Sequence, residues 1–118
     1  MIEDEPVQSP NGRWTIVLSS WEARMSLWID SPSLVEVASN TAVFAFKDSN
    51  WSLDTAVWIS DDVVEWRLRK YPGNHLPVDF EVQIDCARAS ARIDERELPL
   101  VHLERALNAK LHWISAPE

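Results

Sequence analysis

Glycine is nearly missing from this 118-residue chain; it occurs only at Gly12 and Gly73. Loops that cradle phosphate need several glycines in close order, so that backbone N–H groups can approach the anion. Their absence excludes the Walker-type loop and the dinucleotide fingerprint, and nucleotide chemistry of those kinds with them. Cysteine occurs once, at Cys86, which excludes an internal disulfide framework and any multi-cysteine zinc site. Positive charge is scarce: 11 Lys and Arg stand against 19 Asp and Glu, for a net charge of −8. A nucleic-acid groove needs a basic surplus, so no nucleic-acid partner is expected. No apolar run nears the roughly 18 residues that span a bilayer, and Met1-Ile2-Glu3-Asp4-Glu5 is acidic where a secretory leader is basic. No membrane partner and a cytoplasmic location are the resulting expectations.

What is present is ordinary in amount and odd in kind. An apolar fraction of 46% with 25% charged residues is enough for a core, and the length suits one domain. Residues 1–10 are acidic, contain Pro6 and Pro10 and show no period, so they read as a flexible arm before a globular domain over 11–118. Tryptophan is the oddity, with seven copies at Trp14, Trp21, Trp28, Trp51, Trp58, Trp66 and Trp113.

Periodicity predicts strands over most of the chain. Trp14, Ile16 and Leu18 alternate with Arg13, Thr15 and Val17, the pattern of a half-buried strand. Residues 21–30 admit two readings. As a strand, Trp21, Ala23, Met25, Leu27 and Ile29 face inward and Glu22, Arg24, Ser26, Trp28 and Asp30 outward. As a helix, Trp21, Met25, Trp28 and Ile29 share a face, and Ser19 with Glu22 forms a capping box. The unbroken alternation favours the strand, which Ser31-Pro32 ends. Runs at 34–38 and 41–46 follow, joined by Ser39-Asn40 as a hairpin loop, then 55–59 and 63–70, joined by Ser60-Asp61-Asp62. Tyr71 to Pro77 reads as a long turn. Residues 78–86 alternate most regularly, with Val78, Phe80, Val82, Ile84 and Cys86 inward, and 89–93 is their return partner.

The period changes once. Leu100, Leu103, Leu107, Leu111 and Ile114 recur at helical spacing, and Pro99 suits a first helical position, which predicts an amphipathic helix over 99–113. Leu103 and Leu107 should be buried under it. The expected fold is mainly β (α+β): an antiparallel meander of about six to eight strands with one C-terminal amphipathic helix.

Ser9-Pro10-Asn11-Gly12-Arg13-Trp14 resembles the turn that opens blades in TolB-type and WD40-type β-propellers, and residues 34–40 are similar to a blade's inner hairpin. The resemblance covers roughly 40 residues. A propeller needs at least four blades and this chain has material for about two, so the resemblance implies blade-like hairpins and no propeller function. Glu22-Ala23-Arg24-Met25-Ser26 and Leu68-Arg69-Lys70-Tyr71-Pro72-Gly73 resemble stretches of small bacterial proteins, which implies a bacterial source and no activity.

Few constellations carry chemistry. Residues 48–54 offer oxygen ligands at alternate positions, but Leu53 stands where a calcium loop needs glycine and Ile59 where it needs glutamate. His102 and His112 are ten apart and cannot clamp a metal as an i, i+4 pair does. No cofactor and no metal are expected, and no serine lies in a nucleophile-elbow context. Arg67, Arg69, Lys70, Tyr71 and His75 form the one basic cluster, and Asp79, Glu81 or Asp85 on the next strand is placed to neutralise it. A Cys86–His75 dyad is conceivable only through the fold.

Two functions from different classes follow. The first is a protein-binding module, for instance an immunity-type inhibitor of a basic toxin or enzyme. Trp28 would be its anchor, Arg24 and Asp30 would stand beside it, and the acids Asp79, Glu81 and Asp85 would steer approach. Its partner is another protein, a basic one where charge decides, or a second copy of the chain. The alternative is a small-ligand binder or enzyme with a site at Arg67, Arg69, Tyr71 and His75.

Overall fold

The computed structural model describes residues 8–24 and 27–114, with Arg24 described by its backbone alone. Antiparallel strands dominate. Ten occur among the described residues: β1 (Trp14–Arg24), β2 (Leu27–Glu36), β3 (Thr41–Ala45), β4 (Trp51–Trp58), β5 (Val63–Lys70), β6 (His75–Leu76), β7 (Phe80–Asp85), β8 (Ser90–Ile93), β9 (Arg96–Pro99) and β10 (His112–Trp113). A 3-10 turn (Leu100–His102) leads into the helix α1 (Leu103–Lys110). They form a three-stranded sheet β1-β2-β3, a five-stranded sheet β4-β5-β7-β8-β9 and a two-stranded pair β6-β10. The expected fold class is the one observed. The count exceeds six to eight because two strands are two residues long and β9 has no obvious turn before it.

The five-stranded sheet follows its alternation closely. Val64, Trp66 and Leu68 on β5 and Phe80, Val82 and Ile84 on β7 are buried, while Glu65, Arg67, Arg69 and Glu81 stand outside. Across the sheet, Trp66 pairs with Val82 and Ala56, so the large apolar side chains share one face. Leu100, Leu103 and Leu107 close that face as one stripe and are buried as expected. Burying side chains of this size contributes about 1.5–3 kcal/mol each. Glu104 fixes where the helix sits: its carboxylate accepts the backbone N–H of Lys47 (2.8 Å) and of Asp48 (3.0 Å). Lys70 braces the same corner with only 14% of its side chain exposed; its ammonium meets Asp48 (3.1 Å) and Asn108 (3.0 Å) and lies 5.4 Å from the Trp51 ring centre.

Several expectations need correction. Residues 21–30 are extended but not one strand: Glu22 pairs with Trp28 and Arg24 with Leu27, so the chain reverses inside the alternating run. No Gly, Pro, Asn or Asp marks the reversal, so no turn signal was there to read. Met25 and Ser26 lie outside the described residues. Leu27, expected inward, is 47% exposed. Ser31-Pro32 does not end the strand but lies within β2, just before Ser33, the residue that pairs with the end of β3 at Ala45. Proline is tolerated where a strand has an open edge. The expected strand over 78–86 starts at Phe80, and Val78 is 63% exposed.

Two more corrections concern the C-terminal third. The strand β9 follows a two-residue loop in which Asp94 and Glu95 both have positive φ, 50° and 65°, as a tight hairpin turn requires. Asp94-Glu95 lacks the Gly or Asn that usually marks such a turn in a sequence. The helix stops at Lys110 instead of 113, because Leu111 turns extended. His112 and Trp113 then pair with Leu76 and His75, and Ile114 N–H donates to the Asn74 carbonyl (2.8 Å). Pairing with a distant strand replaces the last helical turn. The expected arm over 1–10 lies outside the described residues as far as residue 7.

Candidate functional site

The β1–β2 hairpin builds the most exposed aromatic feature. Its two strands run past the end of β3, so no third strand pairs with its distal half, although Asp30 of β2 reaches Ser52 of β4. Two tryptophans of β1 tie it to the five-stranded sheet by hydrogen bonds: Trp14 Nε1–H donates to Asp62 (2.7 Å) and Trp21 Nε1–H to the Ser49 carbonyl (3.0 Å). Trp21 also sits edge-on to Tyr71 at 5.9 Å. Near the far end Trp28 is 58% exposed, beside the exposed Leu27.

Trp28, Ile29, Arg69, Tyr71 and Pro72 line a shallow cleft of about 80 Å³. This is far below the roughly 300–1,000 Å³ of small-molecule sites. It can take the edge of a partner surface, not a metabolite. The fold thus brings Trp28 from one expected set together with Arg69 and Tyr71 from the other, although 41 positions separate Trp28 from Arg69 in the chain. Asp30 is beside them but engaged: it accepts the Ser20 hydroxyl (2.5 Å), and its N–H donates to Ser52 Oγ (3.2 Å). Arg24 is placed by its backbone opposite Leu27.

The acidic residues lie elsewhere. Asp85 pairs with Val63, at the opposite end of β5 from Lys70, roughly 20 Å along the strand from the Trp28 cleft. Its carboxylate accepts the Arg88 N–H (3.1 Å). Glu81 meets Arg67 at 3.2 Å, the neutralising pair anticipated across β5 and β7. Arg69 finds its acid on the other neighbouring strand, Asp54 of β4, at 2.8 Å. Both pairs are exposed, so each contributes little to stability.

Asp79 and Glu81 border a second, open cleft of about 500 Å³ with Phe80, Ile93, Asp94 and Lys110. Its floor is apolar and its rim acidic, with Lys110 bound to Asp94 at 2.7 Å. A long basic side chain suits such a cleft, its stem on Phe80 and Ile93 and its charge at the carboxylates. Asp94 and Lys110 were not singled out from the sequence. They reach Asp79 only through the β7-β8-β9 arrangement and the docking of α1, and no local signal marks them.

His75 is not a free base. It is buried, Nε2 accepts the Lys70 backbone N–H (3.1 Å), and Nδ1 lies 2.7 Å from the Pro77 carbonyl. Since a backbone N–H can only donate, Nδ1 carries the hydrogen, and both ring nitrogens are used. Cys86 sits near the other end of β5, where its N–H meets the Asp62 carbonyl, so the two residues form no dyad. Burial and the carboxylates of Asp85 and Asp62 push the Cys86 thiol up to about 12, the opposite of an activated nucleophile. Burial also raises Asp48, but the Asn50 N–H and the Lys70 ammonium outweigh it and hold the carboxyl below its usual value. Among the described residues no group of three or more His, Cys, Asp or Glu could hold a metal, and no helix is long and apolar enough to cross a membrane. No protein-family model, no curated protein and no solved structure matches the chain.

Proposed function

We propose that the chain is a small acidic protein-binding module of the cytoplasm that docks through the tip of the β1–β2 hairpin, with an immunity-type inhibitor of a basic toxin or enzyme as its most specific form. The observation that carries this reading is Trp28. Of the seven tryptophans it is the most exposed, and among the described residues no hydrogen bond holds its indole in place, whereas Trp14 and Trp21 have one each. A large ring left in water at a hairpin end, beside Leu27 and a shallow cleft, has the composition of an interface anchor. The net charge of −8 speeds encounter with a basic partner. The Asp79 and Glu81 cleft offers one place for such a partner's lysine or arginine. The paired state of Arg67 and Arg69 and the fully bonded His75 give the ligand-site alternative no supporting observation.

The test is affinity capture from the source cell with mass spectrometry, followed by binding measurements on the captured partner with wild type and Trp28→Ala. Trp28→Ala should weaken binding by more than ~2 kcal/mol, about 30-fold. Glu81→Lys should slow association, less so at high salt. Equal affinity of Trp28→Ala and wild type for every captured partner would end the reading. If the partner is a second copy, sedimentation of the two proteins alone shows the same difference.

A further inference from the structure

The β1–β2 hairpin sets a tryptophan opposite a glutamate near each of its ends: Trp14 faces Glu36, and Trp28 faces Glu22. Val37 N–H donates to the Arg13 carbonyl (2.9 Å), so the backbone of Arg13 is bonded across the hairpin. By alternation the backbones of Trp14 and Glu22 on β1, and of Trp28 and Glu36 on β2, point away from the partner strand. Both pairs are therefore of the non-hydrogen-bonded kind. Opposite side chains come closest there, with Cβ atoms about 4.5–5.5 Å apart.

At the Trp14 end the chain supplies a cation. The Arg13 guanidinium lies 4.5 Å from the Trp14 ring centre, with its Nε 3.5 Å from the Glu36 carboxylate and its Nη1 4.0 Å from Asp62. The corner at Lys70 repeats the combination, the ammonium lying 5.4 Å from the Trp51 ring centre and 3.1 Å from Asp48. At the Trp28 end the residue before the ring is Leu27 in place of an arginine, and among the described residues no cation lies on the ring. The carboxylates are nevertheless there. Glu22 is exposed across the hairpin, and Asp30, two residues along, shares the face of Trp28. The cations of the adjacent cleft are already matched, Arg69 by Asp54 (2.8 Å) and Lys70 by Asp48.

We propose that Trp28 receives an arginine or lysine side chain of the protein partner, stacked on its indole face and paired with the carboxylates of Asp30 and Glu22. The inference rests on the reading of the hairpin tip as the docking surface and names what docks there. A cation within about 6 Å of an indole centre is drawn to the negative face of the ring. Asp30 takes the Ser20 hydroxyl on Oδ1, which leaves Oδ2 to face the incoming charge. Charge is complementary over the whole approach, since the chain carries −8. Arginine suits the place better than lysine, because its planar guanidinium lies flat on the ring while its N–H groups reach a carboxylate at the rim. The methylene stem has the shallow cleft beside the ring to lie in.

Selection of a random peptide library on the full chain tests this, each recovered peptide being titrated while the NMR signal of the Trp28 indole N–H is followed. Peptides that shift this signal should share an arginine or lysine at one position. Replacing that residue by its neutral counterpart, citrulline or norleucine, should weaken binding to the wild type about 3- to 30-fold. On Trp28→Ala the same replacement should change affinity by under about twofold, so that the cycle isolates the pair. Asp30→Asn should weaken the basic peptide more than its neutral counterpart, and less so at high salt. Amide spectra unchanged away from the tip report that both variants are folded. Peptides that bind at Trp28 without a basic residue, or equal effects of the replacement on wild type and Trp28→Ala, overturn the proposal and leave docking through the tip standing. A library that yields no binder at Trp28 overturns it as well, and the captured partner then decides the docking reading by itself.

Discussion

The tryptophans of the two sheets are held in opposite ways. In the five-stranded sheet Trp51 and Trp66 are wholly buried, and their indole N–H groups have no hydrogen-bond partner among the described residues. Trp51 instead stacks on Phe46 (5.5 Å) and meets Phe80 edge-on (5.8 Å), and Trp66 lies against Phe44 (6.3 Å). In the β1–β2 hairpin Trp14 and Trp21 keep their N–H bonds and act as ties between sheets, and Trp28 is left in water. The five-stranded sheet accepts the cost of an unpaired N–H in exchange for large apolar area. The hairpin uses the same residue type for its polar handle or for its exposed face. One residue type thus serves both the shared core and the candidate recognition surface of one small protein.

That contrast can be broken by measurement. The largest effect belongs to the core: Trp66→Ala should cost about 3–5 kcal/mol in urea unfolding, and a loss under about 1 would mean that the ring is not part of the core. Lys70→Met should cost about 1–2 kcal/mol at neutral pH through the lost contacts with Asp48 and Asn108. It should also change the acid limb. Asp48 is held below its ordinary 3.8, so its contribution is present above that pH and is lost as the pH falls through its lower folded value. Urea melts from pH 6 to pH 2 should show a shallower acid loss in Lys70→Met than in wild type.

Cys86 supplies the alkaline counterpart. Its thiol is pushed from an ordinary 9.0 up to about 12, so its contribution is full below pH 9 and is lost as the pH rises from there toward 12. Cys86→Ala should flatten this slope, and the native thiol should resist thiol reagents at pH 8 until the protein is unfolded. The smallest effect on stability belongs to Trp28→Ala, under about 0.5 kcal/mol, against a large effect on binding. A stability loss of several kcal/mol at Trp28 would erase the difference between the two regions.

The sequence by itself determined the alternating faces of β5 and β7, the leucine stripe of α1, the inward placing of Cys86 and the presence of acids on the strand beside Arg67, and the structure chose Glu81 among them. All of these follow from a period of two or of 3.6 and from the short reach of neighbouring strands. Where local signals were weak or contrary, tertiary structure decided. The reversal near residue 25 and the Asp94-Glu95 turn lack glycine, and backbone pairing on both sides imposes them. The end of α1 is set by the competing pairing of His112 and Trp113 with His75 and Leu76. His75, a member of the expected ligand site, has both ring nitrogens taken by Lys70 and Pro77, and Trp28 shares a cleft with Arg69 and Tyr71 only in the assembled sheets. Contacts between residues tens of positions apart leave no period in the chain, so the candidate site exists only in the assembled sheets.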